Sequence, residues 1–66
     1  MFISLPISED GITQTQLFNV KYIAKITRAT ENESYIYRNL NSLSFIVVSL
    51  SFEELCKRLQ SINNNQ

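Results

Sequence analysis

Up to about residue 50 the apolar positions follow the period of strands, and after it that of a helix. Ile3, Leu5 and Ile7 alternate with Ser4 and Pro6, which places the three aliphatic side chains on one face of an extended segment. Pro6 has no backbone donor for a ladder, so this first strand is expected at a sheet edge. Ser8-Glu9-Asp10-Gly11 follows, and Asp-Gly is a hairpin signal because glycine readily takes the positive φ of a tight turn. The second strand, from about Ile12 to Phe18, carries Thr13, Gln14, Thr15 and Gln16, so one of its faces should be wet. From Val20 to Arg28 β-branched residues are frequent, yet Val20, Ile23 and Ile26 recur every third position. A short helical turn near Asn19 to Tyr22 that leads into a third strand reconciles the two periods.

Glu31-Asn32-Glu33-Ser34 reads as a polar break, Tyr35 to Leu40 as the fourth strand, and Asn41-Ser42 as a tight turn. Leu43 to Leu50 reads as the fifth strand, and because residues 45 to 48 are apolar on both faces it should be central and covered on both sides. A well-marked helix follows. Ser51 is placed to cap the first turn, Glu54 three residues on can complete a capping box, and Leu50 and Leu55 flank the cap as a hydrophobic staple. Glu53 and Glu54 suit the positive end of the helix dipole, with Lys57 and Arg58 further along. Phe52, Leu55, Cys56, Leu59 and Ile62 form one apolar stripe that something must cover. The run 63–66 has no apolar residue and reads as a frayed polar tail.

The expected fold is therefore a small α+β domain over residues 1–62: a mostly antiparallel sheet of about five strands with one C-terminal amphipathic helix. One helix cannot cover both faces of such a sheet. The other face is either curled into a half-barrel or pressed against a second copy. The hairpin signals make neighbours of strands one and two and of strands four and five, and leave the third unplaced.

Length sharpens the question of assembly. A 66-residue chain buries only about 60 % of the surface its unfolded form exposes, so a monomeric core is marginal and self-association is the default. Six basic and six acidic side chains with no histidine give no general attraction to nucleic acid or to an acidic membrane surface. The longest apolar runs fall well short of the roughly 20 residues that cross a bilayer. Met1 to Ile7 lacks the basic start and continuous apolar run of a signal peptide. With a single cysteine, the expectation is a cytoplasmic protein that does not insert into membranes.

The order of the pieces is that of a known group. An N-terminal hairpin with Ile3 and Leu5, then Asn19 with Ile23 and Ile26, then Ile36, then Val47 and Val48, then Ser51-x-x-Glu54-Leu55 opening a terminal helix, resembles the small FlbD-like proteins of bacterial flagellar operons. The similarity spans about residues 2 to 62, with Asn41-Ser42 standing where the family usually has Asn-Gly. It implies a small mixed sheet with one helix and a non-enzymatic accessory role. It carries over no binding residues.

Candidate chemistry is sparse. Without histidine no Ser-His pair can form, Cys56 lies on the apolar stripe with no second cysteine, and Glu9 with Asp10 falls far short of a calcium ligand set. No catalytic residue, metal site or cofactor is assigned, and an enzyme is the least favoured reading. Tyr35 and Tyr37 are the features that call for an explanation. They share one face of the fourth strand with Arg38 beside them on the other, and Tyr22, Lys25 and Arg28 lie just before. These six residues form the candidate interaction surface of a non-catalytic module that self-associates as a homodimer or larger and meets an as yet unidentified protein partner. Assembly would use the Tyr35/Tyr37 face or the edge strand beginning at Phe2. The alternative is a small regulator that stacks bases of a nucleic acid or nucleotide on the tyrosines and holds phosphate with Lys25, Arg28 and Arg38.

Overall fold

Asp10 and Gly11 both have positive φ, 53° and 78°, as a type I′ turn demands. They join strand β1 (Phe2–Glu9) to β2 (Ile12–Asn19), paired without interruption from Phe2 opposite Asn19 to Glu9 opposite Ile12. The computed structural model describes residues 1–41 and 43–64, the last two as backbone alone. After β2 come a 3₁₀ turn (Val20–Tyr22), β3 (Lys25–Thr30), β4 (Glu33–Tyr37), β5 (Ile46–Val48) and the helix α1 (Phe52–Asn64). All neighbouring strands are antiparallel, in the order β2-β1-β5-β4-β3, so the fold is an open five-stranded α+β sheet with one C-terminal helix.

The β1–β2 hairpin forms as the sequence predicts; β4 and β5 pair as expected, but β4 ends at Tyr37 rather than Leu40 and β5 begins at Ile46 rather than Leu43, and β3 takes the outer place beside β4. Because β2 and β3 are opposite edges, the segment between them must cross the whole sheet. Asn19 starts the crossing by accepting a hydrogen bond from the Lys21 amide at 3.1 Å. The Val20 amide donates to the Met1 carbonyl at 2.9 Å, and the Ala24 amide to the Tyr37 carbonyl at 2.8 Å. Val20 and Ile23 pack on the core as the segment passes over it. The spacing of three at Val20, Ile23 and Ile26 is thus a crossover's inner face, continued into β3.

The core consists of Ile3, Leu5 and Ile7 from β1, Ile36 from β4, Val48 from β5 and Leu55 from α1. Leu50, Leu59 and Ile62 pack against it, half-buried. The Ser51 hydroxyl accepts the Glu54 amide at 3.1 Å, so the helix begins where its cap dictates. The Glu54 carboxylate lies 3.5 Å from the Arg58 guanidinium one turn on.

Four expectations are corrected. β1 is an interior strand, flanked by β2 along its whole length and by β5 at Ile7 and Ser8. Proline is tolerated there because the β1–β5 ladder pairs only Ile7 with Val48 and Ser8 with Val47. The Pro6 carbonyl accepts the Ser49 amide at 2.8 Å, and a strand residue's N–H and C=O point the same way, so the missing donor faces the place where β5 has already ended. The fourth strand begins at Glu33 rather than Tyr35, because Ser34 is fully buried in the sheet instead of lying in a loop. The fifth strand is central but only three residues long, and among the described residues no layer covers its second face: Leu43 before it is 94 % exposed and Phe45 46 %. The helix continues through the backbone of residues 63 and 64, while 65 and 66 lie outside the described residues. Ser42, half of the expected Asn41-Ser42 turn, also lies outside them.

Candidate functional site

Strand parity sorts the chemistry-bearing side chains. Val48 opposite Ile7 and Ser34 opposite Val48 belong to the helix-covered side, so Val47, Tyr35 and Thr27, which are in register with Ser8, belong to the other. Tyr37 shares that open face, directly opposite Lys25 on β3. Phe45, two residues before Val47, lies flat on Tyr35 with ring centroids 3.9 Å apart and meets Tyr37 edge-on at 6.0 Å. The Lys25 ammonium sits 4.3 Å from the centre of the Tyr37 ring, an attraction between a cation and the negative face of the ring. Phe2 and Leu17 extend the same face across β1 and β2, 59 % and 66 % exposed.

Arg28 is three residues from Lys25 and therefore on the opposite face. Its guanidinium donates to the Glu53 carboxylate of α1 at 3.0 Å, pairs with the second carboxylate oxygen, and lies 5.3 Å from the centre of the Phe52 ring. The hydrogen bond from Arg28 holds the Glu53 carboxyl below its ordinary range and raises the Arg28 guanidinium further. Arg28 fastens the helix to β3.

Tyr22 ends the 3₁₀ turn instead of lying in a strand, and Arg38 falls just past β4. Both are exposed and line a narrow cleft with Phe18, Ile23, Ile36 and Ile46, beneath the crossover. Arg38 also borders an open cleft of about 230 Å³ with Ser44 and Phe45.

The six expected surface residues thus occupy three places. Lys25, Tyr35 and Tyr37 come together on the open face, Tyr22 and Arg38 meet at the crossover cleft, and Arg28 is spent on the helix. Phe45 is the member that the sequence reading missed. Its signal was available in the register, since Tyr35 opposite Val47 puts Tyr37 beside position 45. Cys56 is free and half-buried on α1. Among the described residues no three His, Cys, Asp or Glu side chains could together hold a metal ion, and no helix is long and apolar enough to cross a membrane.

No family model, curated protein or solved structure matches the chain.

Proposed function

We propose that this chain is a non-catalytic interaction module that associates with copies of itself by burying its open sheet face. One observation carries the reading: among the described residues no element packs on the face opposite α1, yet that face presents the Tyr35–Phe45–Tyr37 cluster beside Val47 at one end, with Phe2 and Leu17 exposed towards the other end beyond Ser4, Pro6 and Thr15. Exposed aromatic residues gathered on one face are enriched at interfaces relative to the rest of a protein surface. Zero formal net charge adds no repulsion between copies. A cytoplasmic setting suits the single free cysteine, and an accessory role agrees with what the FlbD-like resemblance implies.

Base stacking is less well supported. Phe45 already covers the ring face of Tyr35, Lys25 rests on Tyr37, and Arg28 lies across the sheet in its ion pair. The tyrosine face thereby lacks two of the three cations that a phosphate backbone would use.

The test is solution mass by light scattering at low and high salt, with and without a mixed oligonucleotide pool. A salt-resistant dimer or larger species that ignores the oligonucleotides, and that loses mass on Phe45→Ser, supports the module. A monomer that gains mass with oligonucleotides only at low salt favours the nucleic-acid reading, because phosphate contacts release counterions and weaken as salt rises.

A further inference from the structure

The two edges of the sheet are built differently. β3 is six residues long, carries Lys25 and Arg28, and has a register shift between Arg28 and Thr30. Charge and irregularity of this kind are how sheets prevent an edge from pairing with another chain. β2 has none of these devices. It is eight residues long, Ile-Thr-Gln-Thr-Gln-Leu-Phe-Asn, with no charged residue, no proline and no break in register.

The direction of its free backbone groups follows from the turn. The residues that flank a two-residue hairpin loop, Glu9 and Ile12, form a hydrogen-bonded pair, and such pairs alternate with non-bonded ones along the ladder. Ile7 with Gln14, Leu5 with Gln16 and Ile3 with Phe18 are then the bonded pairs. The Pro6 carbonyl agrees, since it turns away from β2 to reach Ser49. The amides and carbonyls of Thr13, Thr15 and Leu17 consequently point out of the sheet edge.

We infer that β2 pairs antiparallel with β2 of a second copy, about a twofold axis through Thr15, to make one continuous ten-stranded sheet from two five-stranded ones. The inference rests on the self-association proposed above and adds a contact distinct from the open face. The strand's own pattern selects the register. With Thr15 opposite the partner's Thr15, the outward groups of Thr13 meet those of the partner's Leu17. On the helix side Ile12 comes opposite the partner's Phe18 and Gln14 opposite the partner's Gln16. Ile12, 61 % exposed in the single chain, thereby gains an apolar neighbour. Shifting the axis to Gln16 would set Gln14 against the partner's Phe18 and carry Ile12 past the partner's strand end. Around the Thr15 axis both helices lie on one side and the two open faces become one.

Hydrogen exchange of the backbone amides tests this alongside solution mass, because it reports which surface is used. At a concentration where light scattering gives an assembly, the Thr13, Thr15 and Leu17 amides should exchange at least about tenfold more slowly than after dilution to monomer. Thr15→Lys, which sets like charges directly opposite each other across the axis, should halve the mass and abolish that protection. The amides of Ile3, Leu5 and Ile7 should stay protected, showing an intact fold. An assembly in which the three outward amides exchange as free edges, or whose mass Thr15→Lys leaves unchanged, overturns the edge pairing and leaves the open-face reading standing. A chain that is monomeric at every concentration overturns both.

Discussion

The fully buried Ser34 hydroxyl donates a 2.9 Å hydrogen bond to the Leu50 carbonyl. Leu50 is the corner at which the chain leaves β5 and turns toward the Ser51 cap, so the bond ties the start of β4 to the start of the helix. Ser34→Ala removes the donor and leaves the carbonyl without this partner, at a cost of about 1–3 kcal/mol. Urea unfolding followed by circular dichroism checks it, and an unchanged midpoint would mean that the corner is held by something else.

Leu55 and Leu59 lie on one helical stripe but are not equivalent. Leu55 is fully buried and Leu59 half-buried. Leu55→Ala should cost about 2–5 kcal/mol, enough to unfold much of a domain this small, and Leu59→Ala distinctly less. Thermal melts of the two variants give the ranking; the reverse order would show that α1 packs on a different stripe.

The helix cap is separately testable. Ser51→Ala deletes the oxygen that accepts the Glu54 amide and should cost about 0.5–2 kcal/mol. Ser51→Asp, which keeps an acceptor at the same place, should restore most of the loss in the same melting experiment.

The Arg28–Glu53 pair predicts a specific acid limb. The folded-state value of Glu53 is lowered, so its contribution is fully present above the ordinary glutamate value of 4.5 and is lost as pH falls below that toward the depressed one. Arg28 is raised further above its already high ordinary value and stays charged throughout. Glu53→Gln should therefore be less stable than the natural chain at neutral pH and converge with it in acid. Both side chains are exposed, so added salt should shrink the neutral-pH difference. Unfolding midpoints measured across pH at two salt concentrations check both trends.

What could be read from the sequence was what short stretches decide alone. Asp10-Gly11 takes its backbone angles regardless of the rest of the chain, and Ser51 with Leu50 and Leu55 marks a helix start within six residues. Pro6 misled because its meaning depends on how far a neighbouring strand extends, and β5 stops at Val48. The burial of Ser34 depends on a carbonyl sixteen residues away, which the polar run 31–34 by itself does not reveal. On the candidate surface, the shared face of Tyr35 and Tyr37 follows from alternation, and the same alternation separates Lys25 from Arg28. The hydrophobicity of Phe45 points to the interior, whereas its place beside Tyr35 and Tyr37 follows only from the β4–β5 register.

The strand at the centre of the sheet is the last to be made. β5 joins the β1–β2 hairpin to β3 and β4, and its contact with β1 links residues 7 and 48. The hairpin precedes those partners in the chain, so Ile3, Leu5 and Ile7 stay open to water until the segments through residue 48 and beyond are in place. A lone two-stranded hairpin is marginal at best. The apolar face of β1 is therefore covered only once β5 and the helix after it have docked.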